Sequence, residues 1–185
     1  MMFAIGTWIL LFAISLTEAD RKWDYEPLSI VTTTSDPNKL GIEGKIERLG
    51  RGDFGLTITL EWKYDATEET MVEAVAYRSS SGEESDYKLL PWVIPKQSFY
   101  EYLDTHYKDV VIKNLGNCSN LPQFEGKFQP PFPQGTYKLN KCKVDGEGLP
   151  EIAPPGFYKI IFTKSGPDQP TWGLTAVFKV TNKLF

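Results

Sequence analysis

"FGLTITLEWKY", residues 54–64, alternates large apolar side chains with small or polar ones along its whole length. A period of two over eleven residues predicts a β-strand with one buried face and one solvated face. The polar partners, which include Thr57, Thr59 and Glu61, would face water. The apolar face consists of Phe54, Leu56, Ile58, Leu60, Trp62 and Tyr64.

Shorter segments rich in β-branched and aromatic residues repeat along the rest of the chain, separated by turn sequences such as "SDPN", "GRGD" and "DGEG". Each segment predicts a further strand. Pro91 has no backbone N–H to donate, so we expect its strand at a sheet edge or a bulge. The segments are residues 28–34, 40–49, 71–78, 87–94, 136–144, 157–163 and 172–181.

Residues 95–117 break this pattern. Ser98 and Glu101 have the spacing of a capping box, apolar residues follow at helical spacing, and Gly116 is a plausible end of the helix. Many short strands and one helix in a chain of this length favour an antiparallel architecture. The predicted fold is therefore mainly β, an antiparallel sandwich or cup of about eight strands with one α-helix.

The N-terminal segment has the features of a secretory signal peptide. Residues 3–16 are mostly apolar but too few to span a bilayer, which takes about 20 residues. Thr17 and Ala19 place small residues at the usual cleavage positions. We expect residues 1–19 to be the signal peptide and residues 20–185 to form a single secreted, extracellular domain. The alternative is a membrane anchor retained at the N-terminus.

The chain has two cysteines, Cys118 and Cys142, at the ends of its most proline-rich stretch. In an oxidising compartment two thiols tend to pair, which predicts a Cys118–Cys142 disulfide. The alternative is two buried free thiols. Asn117 opens an Asn-Cys-Ser glycosylation sequon, so glycosylation of Asn117 is expected to compete with oxidation of its neighbour.

The sequence contains few of the residues and motifs on which enzymatic catalysis depends. His106 is the only histidine, and no nucleophile, zinc or phosphate-loop motif occurs. We interpret His106 as a half-buried packing residue and expect no enzyme, no metal and no cofactor. A net charge of −4 without a basic cluster argues against nucleic acid as a partner. Arg51-Gly52-Asp53 is read as a hairpin turn, with adhesion-receptor binding as the alternative.

The chain is rich in aromatic residues, with 11 Phe, 9 Tyr and 5 Trp. Several lie at predicted strand ends or in the proline-rich stretch, including Trp92, Phe132 and Trp172. Ligand pockets are mostly apolar and aromatic with few polar groups. This distribution favours an apolar cavity between the sheets with an aromatic rim.

The second half of the chain resembles the ganglioside-activator branch of the ML lipid-recognition family. The resemblance lies in "PQGTY" at residues 133–137, in "LP" at 149–150 followed by "PPGFY" at 154–158, and in the final strand "WGLTAVFKV". It covers residues 98–184 well and residues 23–95 only as a strand pattern. Within this branch, the chain is similar to the insect chemosensory-B (CheB) group of secreted proteins. The chain differs from the activator in having at most one disulfide.

The resemblance implies a β-cup whose sheets part to hold an acyl chain, without catalysis, in a role related to chemosensation or pheromone response. It also implies that the disulfide ties the helix end to the strand at 136–144. The proline-rich stretch would then form a lip over the cup, with Phe124, Phe128 and Phe132 toward the ligand.

The expected ligand is a hydrophobic small molecule or lipid. For residues 157–163 we choose the face without a charge, so that Tyr158, Ile160 and Phe162 point inward. The alternative function is a secreted accessory protein that docks on a sensory-membrane receptor or channel and holds no lipid. The predicted ligand-binding residues are Phe54, Leu56, Ile58, Leu60, Trp62, Trp92, Phe132, Tyr158, Ile160, Phe162 and Trp172.

Overall fold

The computed structural model of the protein describes residues 21–183, and the predicted signal peptide therefore lies outside the described residues. All eight predicted strands are present within a few residues of their predicted bounds. The largest difference is at the first strand, which begins five residues earlier because Trp23 and Tyr25 already pair with the last strand. The strands are β1 (Trp23–Thr34), β2 (Leu40–Gly50), β3 (Asp53–Trp62), β4 (Met71–Ser79), β5 (Lys88–Ser98), β6 (Gly135–Cys142), β7 (Gly156–Ser165) and β8 (Trp172–Asn182).

The strands form two antiparallel sheets, which confirms the predicted sandwich. One sheet has five strands in the order β1-β8-β7-β4-β5, and the other has three in the order β2-β3-β6. The inner faces meet through an apolar cluster that joins Ile30 and Leu174 of the larger sheet to Ile58 and Leu139 of the smaller one. The chain passes from one sheet to the other between β1 and β2, where the Thr32 hydroxyl donates to the Ile42 carbonyl at 3.0 Å.

β5 is an edge strand, as expected from Pro91. Its pairing with β4 shifts register twice, once between Leu89 and Val93 and once between Ile94 and Gln97. Pro91 lies in the first irregularity and Pro95 in the second. A proline cannot donate to the ladder, so each register shift places its missing N–H where no partner is needed.

Residues 99–118 are helical but do not form one regular helix. Ser98 is the N-cap of α1 (Phe99–Asp104), and its hydroxyl accepts from Tyr100 N at 3.2 Å, so the Ser98 half of the predicted capping box is confirmed. At Thr105 the backbone leaves the helical region, and the segment resumes as a π-helical turn, Tyr107–Ile112. α2 (Lys113–Leu115) and a 3₁₀ turn follow, so helical structure continues past Gly116 to Cys118.

The main core is aromatic and centres on Trp62. Its ring stacks on Tyr64 at 4.8 Å and on Phe99 at 5.6 Å, and meets Phe132 at 4.8 Å. The indole N–H donates to the Tyr64 carbonyl at 2.7 Å. Trp62 therefore joins β3, α1 and the proline-rich connection before β6 without leaving a buried polar atom unpaired.

The predicted disulfide is confirmed. Cys118 and Cys142 are bonded at an S–S distance of 2.03 Å, with their Cα atoms 5.5 Å apart. The bond joins the end of the helical segment to the end of β6, and the Cys142 side chain is fully buried. Between residues 21 and 183 no helix has the length and apolar character needed to cross a bilayer.

Candidate ligand-binding cavity

An apolar cavity of about 220 Å³ lies on the inner face of the five-stranded sheet, beside the start of β7. Four neighbouring strands supply one wall, because inward-facing residues at adjacent register positions share one face of a sheet. That volume is below the roughly 300–1,000 Å³ typical of a ligand site. The strand wall includes Trp23, Ala76, Tyr158, Ile160, Phe178 and Val180.

The opposite wall is a loop between β6 and β7, residues 149–155, which we call the covering loop. Trp23 Nε1 donates to the Pro150 carbonyl at 2.8 Å, and the Tyr158 hydroxyl donates to the Pro154 carbonyl at 2.7 Å. Both aromatic side chains thus direct their polar atoms to the loop backbone and their rings to the cavity. The surface that a ligand meets is therefore almost entirely carbon.

Backbone and charged contacts hold the covering loop at both ends. Near its start, Lys22 N donates to the Glu151 carbonyl at 3.0 Å, and the side chains of the same two residues form an ion pair at 3.1 Å. After its end, Gly156 has φ +148°, and a Cβ there would lie 2.7 Å from the Ser79 carbonyl oxygen. Only glycine permits this close approach of the loop to β4. The cavity thus has a fixed cover rather than a free surface loop.

The cavity opens to solvent at the tip of the covering loop. Ile152 lines the opening with 68% of its surface exposed, and Pro150 and Pro154 beside it are also exposed. A large exposed apolar side chain at the mouth of an apolar cavity is more informative than one isolated on a surface. Ligand would enter past Ile152.

Three predicted ligand-binding residues line this cavity, namely Trp92, Tyr158 and Ile160. Trp92 reaches it from the first irregularity of β5. The chosen face of β7 is confirmed, because Tyr158 is buried inward while Lys159 pairs with Glu84 at 2.5 Å on the other face. Burial raises the pKa of the Tyr158 phenol, which therefore stays neutral at physiological pH. Contact with a ligand remains a prediction for all three.

Seven other predicted ligand-binding residues lie outside the cavity. Ile58 and Trp62 are buried in core clusters, and Leu60, Phe162 and Trp172 pack against the Trp62 core. Leu56 is half-buried beside Cys142. Phe54 borders a separate, polar depression near Arg21 and Asp53. The strand pattern identified their inward face correctly, but the long apolar strand β3 faces packed core rather than empty space.

Phe132, the eleventh, is not a rim residue, and this correction extends to the predicted lip. Only 4% of Phe132 is exposed, and its ring packs against Trp62, Phe99 and Tyr137. The proline-rich loop, residues 121–134, folds onto the Trp62 core and contributes nothing to the cavity wall. Its backbone is held by Asp104, whose carboxylate accepts from Phe128 N at 2.6 Å.

Several wall residues were not predicted from the sequence. Trp23 lies in β1 before the predicted start of that strand, where Pro27 interrupts the apolar pattern. Phe178 and Val180 alternate with polar residues in "VFKVT", a signal that places them inward once the strand is recognised. The covering loop "LPEIAPPG" shows an unusual density of apolar residues for a connection, and that density could have indicated a buried surface.

The other residues singled out in the sequence lie at positions typical of packing or surface residues. His106 is half-buried and lies 6.4 Å from the Tyr102 ring, as a packing residue would. Asp53 of the Arg-Gly-Asp turn pairs with Lys143 at 2.8 Å, so its carboxylate is engaged within the chain. Asn117 is exposed. Residues 21–183 contain no cluster of three or more His, Cys, Asp or Glu side chains that could hold a metal ion.

A search of curated proteins found no match to this chain. Residues 72–160, from β4 through the first half of β7, match the model of a family described as "Protein of unknown function (DUF1091)". The matched region includes both cysteines, the helical segment, the proline-rich loop and the covering loop. It does not include β1 or β8, which contribute Trp23, Phe178 and Val180 to the cavity wall.

Proposed function

We propose that this protein is a secreted, non-enzymatic binding protein that solubilises or presents a hydrophobic, lipid-like ligand. The observation that carries the proposal is the apolar cavity under the covering loop. Two of its polar wall side chains, Trp23 and Tyr158, are already satisfied by loop carbonyls. A ligand with a polar centre would leave its own groups unpaired there, whereas a hydrocarbon chain loses nothing.

Affinity would come from the transfer of methylene groups out of water. Each buried CH₂ contributes about 0.8 kcal/mol, so four of them contribute about 3 kcal/mol. The ring faces of Trp23, Trp92 and Phe178 would supply most of the contact area. A polar head would remain outside the mouth near Ile152, because no charged side chain lines the interior.

Two further observations support an extracellular setting and a lipid ligand. A disulfide forms and persists mainly in oxidising compartments. The resemblance of residues 98–184 to the ganglioside-activator branch supports a lipid as the ligand, and similarity to the insect chemosensory-B group supports a role in chemosensation or pheromone response.

The second candidate function is that of an accessory protein for a receptor or channel at a sensory membrane. It is favoured by the outer face of the five-stranded sheet. There Val31, Ile161, Val75 and Val93 lie in one row across four of its strands. Val31 is 55% exposed, which is high for an apolar residue in the middle of a strand. This candidate predicts a protein that functions with its cavity empty.

The decisive experiment is native mass spectrometry with organic extraction of the protein secreted from eukaryotic cells, followed by titration with a fluorescent fatty acid. Ala153→Trp adds an indole from the covering loop into the cavity. Glu147→Trp makes the same addition six residues earlier in the β6–β7 connection, at an exposed position outside the wall. Because the indole introduced by Ala153→Trp would exclude about four methylenes, or about 3 kcal/mol, the Kd should rise about 200-fold.

The proposal requires a co-purifying lipid, or uptake of the fatty acid at near one-to-one ratio, that Ala153→Trp abolishes and Glu147→Trp retains. Equal binding by both variants would mean that the ligand occupies another site. If the native mass is that of the protein without ligand, and the protein takes up no fatty acid, the carrier function is rejected. The accessory role would then be the remaining candidate.

A further inference from the structure

Lys164, near the end of β7, is a buried lysine that has no acidic partner among residues 21–183. Its residue is 0% exposed, and it follows Tyr158, Ile160 and Phe162 on the inward face of the strand. The ammonium nitrogen donates to the Tyr64 hydroxyl. It also lies 4.7 Å from the Trp62 ring centroid, 4.7 Å from that of Tyr64 and 5.2 Å from that of Phe99. Three aromatic rings therefore take the place of a carboxylate.

The elements packed around Lys164 bring one titratable group to it. β3 and its continuation contribute the Trp62 indole and the Tyr64 phenol, and α1 contributes the Phe99 ring. β4 and β8 place Val72 and Trp172 at the neighbouring register positions. Burial alone lowers the pKa of Lys164 to about 7, with no contribution from any carboxylate of the described chain. Burial raises the pKa of Tyr64, so the phenol remains neutral over this range.

The rings around Lys164 are the ones on which the proline-rich loop rests. Trp62 meets Phe132 at 4.8 Å, and Phe99 meets it at 5.3 Å. Phe132 in turn contacts Phe128, at 6.5 Å, within the same loop. A charge that appears at Lys164 therefore acts on the layer directly beneath residues 121–134. Cation–π attraction offsets part of the cost of that charge but not the full loss of hydration.

We propose that Lys164 is a pH-sensitive switch, and that protonation of its amine loosens the packing of the proline-rich loop on the Trp62 core. The neutral amine is a compact hydrogen-bonded group that the core accommodates. The ammonium ion is a buried charge that the chain stabilises better by opening toward water. The switch does not depend on any ligand in the cavity, because none of its residues lines that cavity.

The direction of the pH dependence follows from linkage. The pKa of Lys164 is lowered in the folded protein, to about 7, so between that value and the unfolded value near 10.4 the unfolded chain binds more protons. Folding therefore becomes more favourable as pH rises through this window. Between pH 6 and pH 9 the shift predicts about a 100-fold decrease in the unfolding equilibrium constant from this group.

The test compares wild-type protein with Lys164→Met, which keeps the length of the side chain and removes its charge. Lys179→Met, an exposed lysine on β8, is the matched control. Trypsin cleavage after Lys127, which is exposed within the proline-rich loop, reports how often that loop opens. At each pH the cleavage rates are expressed relative to Lys164→Met, which cancels the pH dependence of the protease itself.

The expected result is a wild-type to Lys164→Met rate ratio that falls at least tenfold from pH 6 to pH 9, with Lys179→Met following wild type. A ratio that stays constant with pH overturns the proposal. The ¹³Cε resonances of the wild-type lysines give an independent measurement that needs no variant. One of these lysine resonances should titrate near neutral pH. If every lysine titrates above pH 9, the proposal for Lys164 is likewise overturned.

Discussion

Phe132→Ala should strongly destabilise the fold, although the residue lies in a loop. The side chain is almost fully buried and packs against five aromatic rings, those of Trp62, Phe99, Phe124, Phe128 and Tyr137. Truncation of a buried phenylalanine to alanine costs about 3–5 kcal/mol, because transfer energy is lost and a cavity remains. We expect a value near the middle of that range, since rings on several sides limit how far the site can collapse.

Equilibrium urea unfolding followed by tryptophan fluorescence measures this change directly, because Trp62 lies against the altered side chain. With a denaturant slope of about 2 kcal/mol per molar, the unfolding midpoint should fall by about 2 M. Gln129→Ala is the control, an exposed residue three positions earlier in the same loop. Its stability should stay within about 0.5 kcal/mol of wild type, as is usual for surface substitutions.

A loss below about 1 kcal/mol for Phe132→Ala would refute the reasoning, because it lies well under the range for a buried phenylalanine. It would mean that the proline-rich loop contributes little to the core in solution. The interpretation of Phe132 as a rim residue would then be restored, and with it a place for the loop beside a ligand.

Two further predictions concern stability. Replacing both Cys118 and Cys142 by alanine opens a loop whose ends are 24 residues apart. Loop-closure entropy then predicts that the free energy of unfolding falls by about 3.5 kcal/mol. A thermal unfolding midpoint that calorimetry finds unchanged from wild type would contradict this prediction. Asp86 accepts hydrogen bonds from Ser79, Ser80 and Ser81, which hold the pKa of its carboxyl well below its usual range. The stability it contributes is present above the unfolded pKa, near 3.9, and is lost as pH falls below it. The gap in urea midpoint between wild type and Asp86→Asn should therefore be open at pH 7 and narrow by pH 3, and a gap that is the same at both pH values would disprove this role.

The strands were predictable because their signal is local. Alternation in residues 54–64 identifies β3 and its inward face without reference to the rest of the chain. Pro91 in residues 87–94 likewise predicts a strand at a sheet edge or a bulge. Sheet order was not predictable, because β1 and β8 lie at opposite ends of the described chain and no local pattern encodes their pairing.

The candidate site was predictable only in part, for the same reason. Tyr158 and Ile160 were found from strand alternation, and Trp92 from its position at a strand end. Whether an inward residue meets core or empty space depends on what covers it, and that is decided by distant loops. The proline-rich composition around Phe132 favours a rim, yet several rings within one loop can also anchor it to a core.

The two prolines of β5 also bear on the behaviour of the protein at high concentration. An exposed sheet edge is a template for strand addition from another molecule, which is how many β-proteins begin to aggregate. Pro91 and Pro95 remove two N–H donors from this edge, and Lys88 and Lys96 are exposed on it. A second chain that approaches β5 would find an interrupted ladder and positive charge. The prolines that disturb pairing within the sheet therefore also disfavour the addition of a further strand along that edge.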